Sequence, residues 1–235
     1  MKCSARHRIF ALNKNGGDEV LNRTKLKEAE ERFLMRYPGG FSDPLMLEIA
    51  KKHKVEKMNK LAQDSFAIEQ FESSNKIADS MSKIVSQSSM VSIFEKPKFR
   101  DLVKAIDDNE KERLSHGLKE FLHGNQEFGF KLMADLLKEY KLAKWPLLTV
   151  CPVYYRPSVE VFIKPTTAKG VIEYFELEGL KYSPNPTFGF YRAYREQINQ
   201  MKEEVAASLQ FDNAAFCGFL MMSIENFGDS QKADV

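Results

Sequence analysis

Apolar residues recur every three or four positions along much of the chain, which is the spacing of a helix that buries one face. In the first such segment the apolar positions are Leu26, Ala29, Phe33 and Tyr37. Pro38-Gly39-Gly40 predicts the end of that helix. Ser42-Asp43-Pro44 predicts a new helix start, with a capping side chain before the proline, and Asn125 predicts another. Because the pattern continues to Tyr140, residues 1–142 are predicted to form a helical region.

Residues 73–92 contain eight serines and allow two interpretations. A flexible linker is one, since serine-rich segments often stay unstructured. The other is a helix capped by Ser73 or Ser74, with Ile77, Met81, Ile84 and Val85 on its buried side. The helical spacing of the apolar residues favours the helix.

The pattern changes at Lys144-Trp145-Pro146. Residues 147–155 are rich in β-branched and aromatic side chains, and Val159–Lys164 alternates between apolar and polar positions. With Tyr155–Ser158 as a turn, the two segments predict a β-hairpin, and Arg8–Leu12 predicts a further short strand. The predicted fold is therefore mainly α, with the helical region packed against a smaller α+β portion at 143–235. The two parts are either separate domains or one compact domain.

Aromatic and arginine residues are interleaved between Phe188 and Arg195. Mixtures of this kind stack single-stranded bases in some proteins. However, Tyr191, Tyr194 and Ile198 continue at helical spacing, which predicts a core stripe flanked by the arginines.

Charge is nearly balanced, because the chain carries a net charge of only +2. Residues 1–142 hold 26 basic and 22 acidic residues, and residues 143–235 hold 9 and 11, so the first part is positive and the second negative. This balance does not by itself require a nucleic-acid partner. The overall composition is that of an ordinary globular protein.

Location and chemistry are indicated mainly by what the sequence lacks. The basic start of the chain is followed by no apolar segment of a secretory signal, and no apolar run is long enough to span a membrane. Cys3, Cys151 and Cys217 are widely spaced, which predicts reduced thiols and a cytoplasmic protein. Phosphate-binding, dinucleotide-binding and hydrolase motifs are missing, so no cofactor is predicted and an enzymatic role stays open.

A basic stretch lies within Leu45–Phe66, where the spacing of Ala50 and Val55 resembles the core of a helix-turn-helix motif. Its lysines, suited to phosphate contacts, are Lys51, Lys52, Lys54, Lys57 and Lys60. The resemblance is incomplete, because Lys54 stands where glycine is usual and Lys60 where an apolar residue docks. Two amphipathic helices with solvated basic faces are the alternative interpretation.

A second basic group comprises Lys96, Lys98 and Arg100. Together the two groups lead us to predict a nucleic-acid-associated binding protein, whose binding falls steeply with salt. The first alternative is a protein-interaction module with an exposed apolar patch at Met90, Phe94 or Met221-Met222. The second is an enzyme with a pocket at the junction of the two parts.

Histidine and glutamate side chains recur on one face of a predicted helix, as Glu112, His116, Glu120, His123 and Glu127. Spacings of three and four residues bring such side chains together, and His116, Glu120 and His123 are metal-ligand types. On a helical wheel this face points away from the helix's own apolar face, whereas metal sites in helix bundles point inward. We therefore predict a solvated stripe and no metal.

Overall fold

The computed structural model describes residues 21–233, with side chains through residue 224. The helices are α1 (Arg23–Arg36), α2 (Pro44–His53), α3 (Val55–Ser65), α4 (Ser74–Gln87), α5 (Glu95–Ala105), α6 (Asp108–His123), α7 (Gln126–Glu139), α8 (Trp145–Tyr155), α9 (Pro165–Tyr174), α10 (Phe188–Glu203) and α11 (Asn213–Ala233). Short 3-10 turns occupy Gly40–Ser42, Ile68–Glu72 and Ala207–Leu209. The predicted strand at Arg8–Leu12 lies outside the described residues.

Several helices begin at the capping side chains that the sequence contains. Asp43 accepts a hydrogen bond from the backbone N–H of Leu45, and Asn125 accepts one from Phe128. Ser73 caps α4 in the same way, and the serine-rich segment is a helix with Ile77 and Ile84 buried. These side chains satisfy N–H groups that have no partner within the helix.

The predicted first strand of the hairpin is wrong, because residues 147–155 lie within helix α8. From Trp145 to Tyr154 every residue of α8 is buried. A helix enclosed on all sides shows no polar face, so its sequence has no helical periodicity and is easily mistaken for a strand. Pro146 fits in the first turn, where the missing N–H costs nothing.

The predicted second strand at Val159–Lys164 is also wrong. Its residues from Glu160 to Ile163 are buried but form no ladder with another strand. Side chains bind its backbone instead: Thr149 accepts a hydrogen bond from the Ile163 N–H at 3.1 Å, and Asn199 donates one to the Val159 carbonyl at 3.0 Å. The described part of the chain has no β-strand, so the fold is all-α and not α+β.

The helices pack around a core of aromatic side chains. Phe130 lies against Phe121, Trp145 and Tyr191, with ring centroids 5.8–6.1 Å apart. Tyr191 belongs to the stripe on α10 that the sequence predicted, and its burial confirms that prediction. α4 packs on α5 and α6, α3 packs on α8, and α1 and α9 pack on α11.

Candidate functional site

The basic stretch forms a sharp corner between α2 and α3. α2 ends at His53, α3 begins at Val55, and Lys54 alone joins them in the left-handed conformation with φ 54° and ψ 37°. The Lys54 N–H bonds back to the carbonyls of Ala50 and Lys51, which closes the end of α2. The expected glycine position is therefore left-handed, although lysine occupies it at an energetic cost of about 1–2 kcal/mol.

The two helices do not dock as a helix-turn-helix pair does. That motif joins its helices through three or four residues, whereas one residue joins them here. Ala50, which would lie at the helix contact, is exposed, and Met46 is the buried residue of α2. The structure therefore agrees with two amphipathic helices that meet at a corner.

The lysines of the corner are free to meet a partner. Four of them are exposed and form no ion pair with any described side chain: Lys51, Lys52, Lys54 and Lys57. We call these four lysines the basic corner. Lys60 differs, because its ammonium lies 2.9 Å from the carboxylate of Asp64.

The second basic group lies at the start of α5, and the segment before α5 contacts the end of α2. His53, the last residue of α2, has its Nδ1 atom 2.8 Å from the hydroxyl of Ser89, in the segment that leads into α5. Lys98 is exposed and Lys96 half-buried, while Arg100 pairs with Asp101 at 3.2 Å. The contact between His53 and Ser89 thus holds the end of α2 against the segment that precedes the second basic group.

Large apolar side chains are exposed on the same elements. Ile93 and Phe94 precede α5 and are 72% and 73% exposed, whereas Met90 packs partly against the core. On α2, Leu45 is 57% and Ile49 37% exposed. The sequence predicted an exposed apolar patch at Met90, Phe94 or Met221-Met222. Of these residues, Phe94 is exposed at the surface, whereas Met222 is partly buried against the core.

The histidines of α6 do not converge on a metal position. Nε2 of His123 lies 2.8 Å from the Phe66 carbonyl oxygen, and its ring packs edge-on against Phe71. His116 lies 3.6 Å from Glu120, whose other oxygen accepts a bond from the Asn125 N–H. Among the described residues, no three His, Cys, Asp or Glu side chains are grouped to hold a metal ion.

A buried ionic cluster centres on Glu160, which the sequence analysis did not identify as a site residue. Its two oxygens lie 2.7 Å from Arg156 and 2.8 Å from Arg195. Tyr191 and Gln126 also donate to it, at 2.6 and 3.0 Å. Burial, reinforced by the Glu160 charge, raises the pKa of Tyr191 well above its ordinary value, so the hydroxyl remains a donor.

Because these contacts involve both oxygens, Glu160 holds the irregular segment in place. The sequence did contain one indication of this cluster, a glutamate flanked by Val159 and Val161. A carboxylate in an apolar segment is expected to be buried with it, and a buried charge needs partners. Arg156 lies four residues before Glu160, but Arg195 lies 35 residues after it, so spacing alone could not identify the second partner.

A cavity of about 220 Å³ lies between α1 and α11, which belong to the two predicted parts of the chain. It is lined by Ala29, Arg32, Phe33, Arg36, Tyr37, Met222 and Ser223. The Ser223 hydroxyl donates to the Phe219 carbonyl at 2.9 Å, and the lining contains no histidine or carboxylate to activate it. The cavity is also smaller than the roughly 300–1,000 Å³ typical of ligand sites.

No protein-family model, curated protein or solved structure matches this chain. Within residues 21–233, no helix combines the length and apolar character that a membrane span requires.

Proposed function

We propose that this protein binds nucleic acid through the basic corner. The observation that carries the proposal is the exposure of four lysines at one helix junction, none of them paired with a described carboxylate. Between Pro44 and Lys60 the chain carries five lysines and two glutamates, so this stretch of the sequence is positive although the whole chain is almost neutral. Such a cluster releases counterions when it meets a phosphate backbone.

The corner favours contacts with phosphates over reading of base sequence. Its helices lack the docked arrangement that presents a recognition helix to the major groove. Lysine is a flexible point charge, whereas sequence is read by side chains fixed against base edges. We therefore expect binding with little sequence preference.

The test is fluorescence anisotropy with labelled DNA and RNA fragments, repeated from low to physiological salt. The variant K51E/K54E/K57E should lose most binding while retaining the wild-type circular dichroism. Its control is K119E/K131E/K138E, which reverses three exposed lysines on α6 and α7 and changes the net charge equally. Equal losses in both variants, or no wild-type binding at low salt, would contradict the proposal.

A protein-interaction module is the second candidate, supported by the exposed apolar residues of α2. Leu45, Leu47 and Ile49 are 57%, 47% and 37% exposed, which is unusual for one short helix. The two candidates differ in their response to salt, because burial of apolar surface releases no counterions. A complex that persists at high salt and is lost in the L45S/I49S variant would favour this candidate.

A further inference from the structure

Phe94 is an aromatic ring held out from the protein by a fixed backbone. Its side chain is 73% exposed. The Phe94 N–H donates to the Ser92 hydroxyl at 3.2 Å, and the next N–H, of Glu95, donates to the Ser92 carbonyl at 3.0 Å. The ring therefore projects from a turn that is fixed to the first residues of α5.

This ring is followed by one half-buried carboxylate, Glu95, and by two lysines. Lys96 and Lys98 follow within four residues in the first turns of α5. Ser89, which contacts His53 at the end of α2, precedes Phe94 by five residues. Five residues span at most about 18 Å, so Phe94 lies within about 18 Å of the residue that contacts the end of α2.

We infer that the ligand at this surface is single-stranded nucleic acid, with one base stacked on the Phe94 ring. This inference rests on the function proposed above and specifies its substrate class. An exposed aromatic ring beside a track of cations is the arrangement by which proteins bind single strands without reading sequence. In a duplex the base faces are already stacked on each other, so only an unpaired base has a face free for the ring.

The charges around the ring favour this partner over a protein. The cores of protein–protein interfaces are depleted of lysine, because each ammonium loses water on burial. Here Phe94 is followed by the half-buried Glu95 and then by Lys96 and Lys98, whose two charges outnumber that carboxylate and complement a phosphate backbone. A single strand uses both features, since its bases meet the ring while its phosphates meet the lysines.

The experiment compares Phe94→Ala with the wild type, using a labelled twelve-nucleotide thymidine oligomer and a duplex of equal length. Loss of one stacked base should weaken single-strand binding by about five- to a hundredfold and leave duplex binding within about twofold, since the lysine contacts that bind it are unchanged. Ile93→Ala is the adjacent control, because Ile93 is 72% exposed but has no aromatic face. Phe211→Ala is the distant control, at 75% exposure.

The variant Phe94→Trp supplies a second readout. Trp145 is the only tryptophan and is 1% exposed, so new red-shifted emission in this variant reports position 94. Stacking predicts that the oligomer quenches this emission and that affinity equals or exceeds that of the wild type. An absence of quenching at saturating oligomer would overturn the inference.

The inference and the proposed function fail in different ways. If the lysine variant K51E/K54E/K57E loses binding but Phe94→Ala retains it, the substrate class is wrong and the proposed function stands. If Ile93→Ala weakens binding as much as Phe94→Ala, apolar contact and not stacking explains the surface, and the inference is overturned. If the wild type binds neither oligomer nor duplex at low salt, both are overturned.

Discussion

The guanidinium of Arg195 lies 2.8 Å from the carboxylate of Glu160 and ties α10 to the irregular segment between α8 and α9. Glu160 is fully buried, and Arg156 holds its other oxygen at 2.7 Å. Asn213 at the start of α11 donates to the Glu160 carbonyl at 3.0 Å. Helices α10 and α11 and the residue that ends α8 thus converge on one buried residue, whose charge depends on the arginines for compensation.

Arg195→Ala should lower the free energy of unfolding by about 3 kcal/mol, because it removes one of two cations from a buried carboxylate. Urea unfolding followed by circular dichroism measures this. Arg192→Ala is the control, since Arg192 is exposed and lies 4.0 Å from Glu196, so we expect a change below about 0.5 kcal/mol. Equal effects of the two substitutions would show that the cluster does not stabilise the fold.

Gly129→Ala should destabilise the protein severely, because α6 and α7 cross where Gly129 has no side chain. A Cβ atom there would lie 2.2 Å from the Phe121 nitrogen and 2.4 Å from the Gly117 oxygen, and both are backbone atoms that cannot yield without moving α6. We expect a loss of at least about 3 kcal/mol, as for other severe overpacking in a core. Thermal unfolding measures it.

The matched control is Gly218→Ala in α11, where nothing lies within 4 Å of the added atom. Alanine is the better helix former by about 1 kcal/mol, so this substitution should leave the protein as stable as before or raise its melting temperature. A Gly129→Ala protein as stable as Gly218→Ala would contradict the described crossing of α6 and α7.

Helix positions could be predicted from the sequence where one face of a helix is polar. The pattern around α10 placed Tyr191, Tyr194 and Ile198 in the core, and all three are fully or almost fully buried. The pattern failed at α8, because burial on every side removes the polar positions that reveal a helix. It failed again at Val159–Lys164. The apolar and polar residues alternate there as in a strand, but the backbone forms hydrogen bonds with side chains and not with a second strand.

The candidate site could be predicted only in part. The lysines of the corner are adjacent in sequence, so their clustering was visible directly. Their relation to Phe94 depends on the contact between His53 and Ser89, residues 36 positions apart. A tertiary contact of this kind leaves no local pattern, and the same is true of the pairing of Glu160 with Arg195.

Stability should fall as the pH rises above about 9, and Cys217 should contribute to this. Burial, with a smaller effect of Asp212, raises the pKa of the Cys217 thiol from 9.0 to about 12. The unfolded chain therefore releases this proton at lower pH than the folded one, which favours unfolding between these values; below pH 9 the contribution is fully present. The loss is about 1.4 kcal/mol for each pH unit.

The measurement is urea unfolding at pH 8, 9 and 10 for the wild type and Cys217→Ala. The stability difference between the two proteins should change by about 1 kcal/mol from pH 9 to 10, because the unfolded thiol is half ionised at pH 9 and alanine has no proton to lose. A difference that stays constant with pH would contradict the prediction. Burial also raises the pKa of Cys151, so a background slope will persist in the variant.

Lys54→Gly should separate stability from binding at the basic corner. Lys54 has φ 54°, a conformation that glycine adopts without strain because it has no Cβ atom. Relief of about 1–2 kcal/mol of strain, less the larger loss of backbone entropy on folding that glycine carries, should make the variant more stable by about 0.5–1 kcal/mol. It should also bind nucleic acid more weakly, with the slope of log affinity against log salt reduced by about 0.7–0.9 for one lost phosphate contact.

Lys141→Gly is the matched control, because Lys141 has φ 58° at the end of α7 and lies outside the basic corner. We expect the same gain in stability with an unchanged salt slope. If both variants are stabilised and both keep the wild-type slope, Lys54 contacts no phosphate and the corner is only a strained turn. If only Lys54→Gly lowers the slope of log affinity against log salt, the Lys54 ammonium contacts a phosphate. That contact would explain why the chain carries a strained lysine at a position that favours glycine.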